Sequence, residues 1–229
     1  RWAVHPEGVI PLTAADPDFA VAEPITEAVV RHVTDGYHSY GPPAGLGEFR
    51  EAIAAWYGRT KGAAVDAAHV LPVNSAAGAL FIVARSILGP GDNAIIPDPV
   101  DFLFRRSIEA AGGTARPCPL RADSAEFDLE ALEARIDAGT RAIFLCNPHN
   151  PRGRMLPASH LTAVLALAER HGLWIISDEI WADLSYTTPF VSVLDASLPA
   201  WSRTIVVSGL SKNFGLAAMR IGYLIARDA

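Results

Sequence analysis

RAIFLCN (141–147), PASHLTAVLALAERHG (157–172) and LWIISD (173–178) follow one another along the chain, and their rhythm decides the fold. The outer two are short, almost wholly apolar runs of strand length, and the middle one reads as a helix. A strand without polar alternation is buried on both faces, which is the condition of a parallel sheet covered by helices on each side.

The same alternation continues outward. Upstream, HVLPV (69–73) reads as a strand, SAAGALFIVARSIL (75–88) as a helix stopped by GPGD, and NAIIP (93–97) as a strand. DFLFRRSIEAAGG (101–113) is a helix, TARPCPL (114–120) a strand and DLEALEARI (128–136) a helix. Downstream, RTIVVSGLS (203–211) and RIGYLIA (220–226) close the series as strands. The series predicts an α/β chain, α/β/α layered around a mostly parallel sheet. Ahead of it, VIPLTAADPDFAVAEP (9–24) looks extended. PITEAVVRHVTDG (24–36) is a helix opened by proline and ended at Gly36, and YHSYGPPAG (37–45) is a loop. LGEFREAIAAWYGRTKG (46–62) places Leu46, Phe49, Ile53 and Trp56 at helical spacing. Residues 1–35 are expected to form an N-terminal segment and 36–229 the large layered domain.

Bulk properties narrow the function. Half of the 229 residues are hydrophobic and the formal net charge is −6, which argues against nucleic acid as the main partner. No apolar run approaches the ~20 residues that span a bilayer, and RWAVHPEGVIPL lacks the layout of a signal peptide. Cys118 and Cys146 have neither metal-ligand nor CxxC spacing and read as reduced thiols, so the expected location is cytoplasmic, with no metal.

In parallel α/β sheets ligands gather at the carboxyl ends of the strands. Asn74, Ser75, Ala76 and Ala77 open a helix there, either as plain capping residues or as a seat for an anion on free N–H groups. CNPHNPRGR (146–154) is either turn chemistry or a rigid mount for an amide. Asp178 leaves an apolar strand either as the cap of a helix over EIWADL or as a partly desolvated acid that needs a cation. SGLSKNF (208–214) carries Ser211 and Lys212, one of only two lysines in the chain, and Arg220 follows eight residues later at the start of the next strand. Arg220 alone reads as a surface ion pair or a phosphate grip. A lysine can lose its proton and attack a carbonyl, which arginine cannot. Taken together, an amine, a carboxylate, an amide and a phosphate cradle fit pyridoxal 5′-phosphate. GxxxxGK[ST] and GxGxxG are both absent.

At these residues the sequence resembles the class I/II aminotransferases, fold-type I pyridoxal-phosphate enzymes. ADPDF, YGPPAGLGEFREAIAAWY, NSAAGAL, CNPHNPRGR, SDEIWADLSY and SGLSKNFGLAAMRIGY carry the likeness in order. The resemblance implies that 36–229 is a cofactor-binding large domain, that Lys212 is the Schiff-base lysine and later the base at Cα, and that Asp178 partners the pyridine nitrogen. It implies that Asn150 donates to the cofactor's 3′-oxygen and that Ser75, Ala76, Ala77, Ser211 and Arg220 hold the phosphate. Tyr40 would reach the phosphate of a neighbouring subunit, making the protein a homodimer acting on small amino acids and keto acids.

Three departures stand out. Trp181 occupies a position where the family usually has tyrosine. Asp101 occupies that of the ring-stacking aromatic, for which Phe102 or Phe104 would have to substitute. The stretch read here is expected to lack the family's C-terminal small domain. Tyr186 is expected to pack behind Asp178, and His149 to serve the turn. The leading expectation is an aminotransferase. The alternative is a C–S β-lyase of the cystathionine β-lyase type, to which ADPDF, CNPHNPRGR and SDEIWADL look close. A non-catalytic effector-binding module is a third reading.

Overall fold

The computed structural model describes residues 5–10 and 15–227. Of the stretch 9–24 expected to be extended, residues 11–14 lie outside the described residues, and 15–22 form no regular element.

Seven strands make one sheet: β1 (Val70–Val73), β2 (Asn93–Asp98), β3 (Thr114–Pro119), β4 (Thr140–Cys146), β5 (Trp174–Asp178), β6 (Thr204–Gly209) and β7 (Gly222–Ala226). Their order is β1-β7-β6-β5-β4-β2-β3. Pairing is parallel from β6 through to β3, while β7 runs antiparallel to both β6 and β1. The sheet is therefore mostly parallel, as its apolar strands require.

Among the described residues six α-helices accompany it: α1 (Glu23–Asp35), α2 (Gly47–Thr60), α3 (Ala76–Ile87), α4 (Phe102–Ala110), α5 (Leu129–Glu133) and α6 (Ala158–His171). Two cores lie on opposite faces of the sheet. Along β4, Ile143 and Leu145 join Leu161, Leu165 and Tyr57 on one face. Ala142, Phe144 and Cys146 join Leu80, Val83 and Ile108 on the other. This period of two sorts β4 between α2, α5 and α6 below and α3 and α4 above. By contrast, α1 has no buried residue.

The boundaries follow local chemistry. The Ser75 hydroxyl accepts the Gly78 N–H at 2.9 Å and starts α3. Asp101 Oδ1 accepts the Leu103 N–H at 2.9 Å and starts α4. Gly172, at φ 64°, ends α6 in the left-handed region. The helix expected over 128–136 stops at Glu133. Arg135 and Ile136 donate to carbonyls three residues back, tightening the chain toward Asp137, which Asn93 holds from β2. EIWADL forms a turn rather than a helix. Arg220 precedes β7 at the end of a short 3₁₀ turn instead of opening the strand.

One glycine sets the relation between β7 and α3. A Cβ on Gly222 would stand 2.3 Å from the Ser75 carbonyl carbon and 2.7 Å from the Ala76 nitrogen. Both atoms are backbone and cannot swing aside. We expect Gly222→Ala to destabilise the fold by about 3 kcal/mol, read as a lowered thermal midpoint. The loss should be accompanied by faster amide exchange at the start of α3.

Candidate active site

A cleft of about 560 Å³ opens at the carboxyl ends of the parallel strands, where β1, β2, β4, β5 and β6 each release their chain. Ser75, Ala76 and Ala77 line it from the start of α3, Asp101 and Phe102 from the start of α4, and Asn150 from the turn after β4. Asp178 enters from the end of β5 with Trp181 behind it, and Ser211, Lys212 and Arg220 from the segment between β6 and β7. Of the residues to which the resemblance gives a cofactor role, all but Tyr40 thus share one cleft. Tyr40 does not: it is fully exposed and outside the lining.

Lys212 points its ammonium to the Ala15 carbonyl at 2.8 Å, with Asp16 Oδ1 at 3.8 Å and the Trp181 ring centroid at 5.2 Å. An N-terminal segment 197 residues away in sequence therefore forms one wall. Asp178 is buried, and its Oδ1 accepts the Ile180 N–H at 3.0 Å. Among the described residues it has no cation within ion-pair reach. Burial pushes its carboxyl up to about 7, the Ile180 hydrogen bond opposes this, and the charge of Asp101 adds to it. The helix over EIWADL that Asp178 was expected to cap does not form; Asp178 caps a turn there instead and is a desolvated acid.

The two asparagines of CNPHNPRGR divide the work. Asn147 is fully buried: its amide donates to the Val191 carbonyl at 3.1 Å and accepts the Leu156 N–H at 2.9 Å. It braces the turn. Asn150 faces the cleft and donates to Asp101 Oδ2 at 3.0 Å. Asp101 thereby both caps α4 and fixes this amide, a pairing across 49 residues that spacing could not reveal. His149 is buried in the turn and accepts the Arg152 N–H at 3.4 Å, and desolvation lowers its pKa to about 4, so it serves the turn as a neutral ring.

Other expectations are corrected. Phe104 borders the cleft, but its side chain is buried edge-on to Phe144 in the upper core and presents no open ring face. Phe102 stands at the mouth, 61% exposed, under the Arg106 guanidinium at 4.8 Å. Tyr186 does not pack behind Asp178 but is 92% exposed. Glu179, the residue after Asp178, is the one that is buried: its carboxylate accepts from Ser192 at 2.8 Å and from the Val193 N–H at 3.0 Å. Cys118 and Cys146 are both buried free thiols.

A model of the family described as "Aminotransferase class I and II" matches residues 7–229. The chain belongs to the class I and II aminotransferases. It is 34% identical over 223 residues to an aspartate aminotransferase of Thermotoga maritima, covering 97% of this chain and 59% of that protein. It is also 34% identical to an arginine–pyruvate transaminase of Pseudomonas aeruginosa, covering 97% and 57%. The crystal structure of the Thermotoga maritima aspartate aminotransferase superposes with a TM-score of 0.90 over 96% of this chain and 59% of that one. An aromatic aminotransferase from Pyrococcus horikoshii superposes equally, TM-score 0.90 at 28% identity, over 98% and 60%. This class I and II aminotransferase chain thus spans somewhat under three-fifths of the length of the curated relatives named here.

Enzymes of the family use pyridoxal phosphate. The residues present fit that group. The start of α3 presents backbone N–H groups framed by small side chains, which suits a phosphate. Arg220 holds φ 57° and ψ 50°, the left-handed region, at a cost of about 1–2 kcal/mol for a non-glycine residue, and lines the same cleft. Asp178 is a buried acid that still requires a cation, as a protonated pyridine nitrogen would supply.

Proposed function

We propose that the protein carrying this chain is a pyridoxal-phosphate-dependent aminotransferase that moves an amino group from an amino acid to a keto acid. The observation that carries this reading is the convergence on one cleft of the Lys212 amine and the buried Asp178 acid, together with the α3 N-terminus and Arg220. Relatives named as aspartate aminotransferase and arginine–pyruvate transaminase support it.

Bound pyridoxal phosphate supplies an aldehyde that condenses with amines and a ring that takes up the electron pair left at a substrate's Cα. The chain's residues do the rest. Lys212 offers the amine and, once released, takes and returns the proton at Cα. Asp178 would keep the ring nitrogen protonated. Ser75, Ala76, Ala77, Ser211 and Arg220 would hold the phosphate, and Asn150 would donate to the ring oxygen. Trp181 offers an indole N–H that can only donate where a tyrosine would also accept and ionise, so this position cannot exchange a proton.

The active protein is read as a homodimer in which Tyr40 serves the partner's site, and its full exposure leaves the ring available for that contact. A cytoplasmic location is supported by the two buried free thiols. Among the described residues no helix is long and apolar enough to cross a membrane. The separation of an N-terminal segment, 1–35, from the large domain, 36–229, is supported by the lack of buried residues on α1.

The β-lyase alternative is not favoured, because the relatives named above are aminotransferases. One experiment tests the choice. The intact, cofactor-loaded protein is given a panel of amino acids and thioethers, and the cofactor's form is identified after a single turnover. Pyridoxamine phosphate with a keto acid is the expected result. Release of pyruvate, ammonia and a thiol would make it a lyase, and no turnover of any amino acid would leave a binding module.

A further inference from the structure

The chain has two lysines, and the one earlier in the sequence, Lys61, is buried. Lys61 caps the end of α2, its N–H donating to the Tyr57 carbonyl at 2.9 Å, and its side chain is only 5% exposed. Its ammonium pairs with Asp183 Oδ1 and lies 5.1 Å from the centroid of the Phe190 ring. The other oxygen, Asp183 Oδ2, accepts from the Asn213 amide at 2.5 Å.

These contacts tie three segments together. Asp183 stands two residues past Trp181 in the turn after β5, and Asn213 is the neighbour of Lys212 in the loop after β6. Among the described residues Asn213 Oδ1 is buried with no hydrogen-bond partner, so that amide is oriented through its bond to Asp183. Ser208 adds a parallel tie, donating from the end of β6 to the Glu179 carbonyl at 3.3 Å. A buried ion pair adds little net stability over well-packed apolar groups, but it holds a defined geometry. An ammonium suits this position, being a compact point charge that sits under the Phe190 ring and against one carboxylate oxygen.

We propose that Lys61 is a positioning residue: acting through Asp183 and Asn213, it holds the Lys212 loop against the Trp181 turn and so sets where the reactive amine stands. The two lysines of the chain are then one device, the first fixing the place from which the second acts. The spectroscopic part of its test rests on the cofactor reading above, and the exchange part does not.

The test uses the intact, cofactor-loaded protein and the variants Lys61→Met, Asp183→Asn, Asn213→Ala and the Lys61→Met/Asn213→Ala double. Amide exchange is followed in residues 209–216, with β4 as an internal reference, alongside the circular dichroism of the cofactor's visible band. Lys61→Met should speed exchange in 209–216 roughly tenfold and leave β4 unchanged, since it removes a charge-assisted restraint on a local opening. It should weaken the visible ellipticity while the absorbance of bound cofactor persists, a signature that a merely structural loss elsewhere would not produce. Asn213→Ala should reproduce both effects, and the double variant should match Asn213→Ala, since the two residues act in series.

Unchanged exchange in a folded Lys61→Met, equal acceleration in β4, or additive effects in the double variant would each overturn the proposal. Should Lys61→Met fail to fold, Asp183→Asn keeps the side chain's shape and removes the charge. It must loosen 209–216, and a rigid loop in that variant overturns the proposal equally. A wild-type protein that forms no visible band would remove the cofactor reading, while exchange would still decide the role of Lys61.

Discussion

Lys212→Ala should abolish the visible band formed when the protein is mixed with pyridoxal phosphate. It should also lower turnover by on the order of 10⁴ or more, since in the proposed function one residue would supply both the covalent attachment and the proton transfer. Nothing nearby can take over. The cations lining the cleft are Lys212 and Arg220, and a guanidinium does not lose its proton in a protein. Lys61, the other lysine, is buried against Asp183 at the end of α2 and does not line the cleft. Stability should change little, because the Lys212 side chain makes surface-accessible contacts with Ala15, Asp16 and the Trp181 ring rather than filling a core. Absorbance titration with the cofactor and steady-state turnover check the result. A visible band retained in Lys212→Ala would mean that another amine is the attachment point.

Asp178→Asn should separate stability from activity. The folded-state pKa of Asp178, about 7, lies above its ordinary 3.8 because burial disfavours the charged form. Between those values the folded chain keeps a proton that the unfolded chain releases. The acid therefore costs nothing below pH ~4, costs progressively more stability as pH rises toward 7, and levels off above it. Asparagine cannot ionise, and its Oδ1 can still accept the Ile180 N–H. The cofactor-free variant should match the wild type near pH 4 and exceed it at pH 8, by up to about 4 kcal/mol. Glu179 is also raised to about 7 by burial and gives a slope of the same sign, but it is common to both proteins and cancels in the difference. Turnover should move the other way, falling by about 10²–10³, because a neutral amide does not hold the ring nitrogen's proton. Chemical unfolding from pH 4 to pH 8, paired with turnover, checks both arms. Equal stability of the two proteins at pH 8 would show that Asp178 is not a strained acid in the absence of the cofactor.

The layered architecture was legible because a strand buried on both faces shows itself as an unbroken apolar run, and β2, β4, β5 and β6 all do. The site was legible in its chemical types, since a lysine, an acid, an amide and small helix-opening residues stand at strand ends where the sheet exposes them. Boundaries were harder. The α5 helix ended early because Asp137 answers to Asn93, 44 residues away, and no local pattern encodes that pull. Tyr186 was expected to pack behind Asp178, yet it is exposed, while Glu179 is buried because hydroxyl and amide partners satisfy its carboxylate.

By itself the sequence determined the alternation of strands and helices and the set of groups able to do the chemistry. Both are properties of single residues and their near neighbours, governed by periodicity and side-chain pKa. Only the tertiary structure decided which asparagine braces the turn and which faces the cleft, and that Asp101 grips Asn150 where an aromatic was expected. It alone brought Lys61 into line with Asp183 and Asn213, across 122 and 30 residues. Desolvation and pairing depend on what distant segments bring to the same few ångströms, and that information has no local signature in the chain.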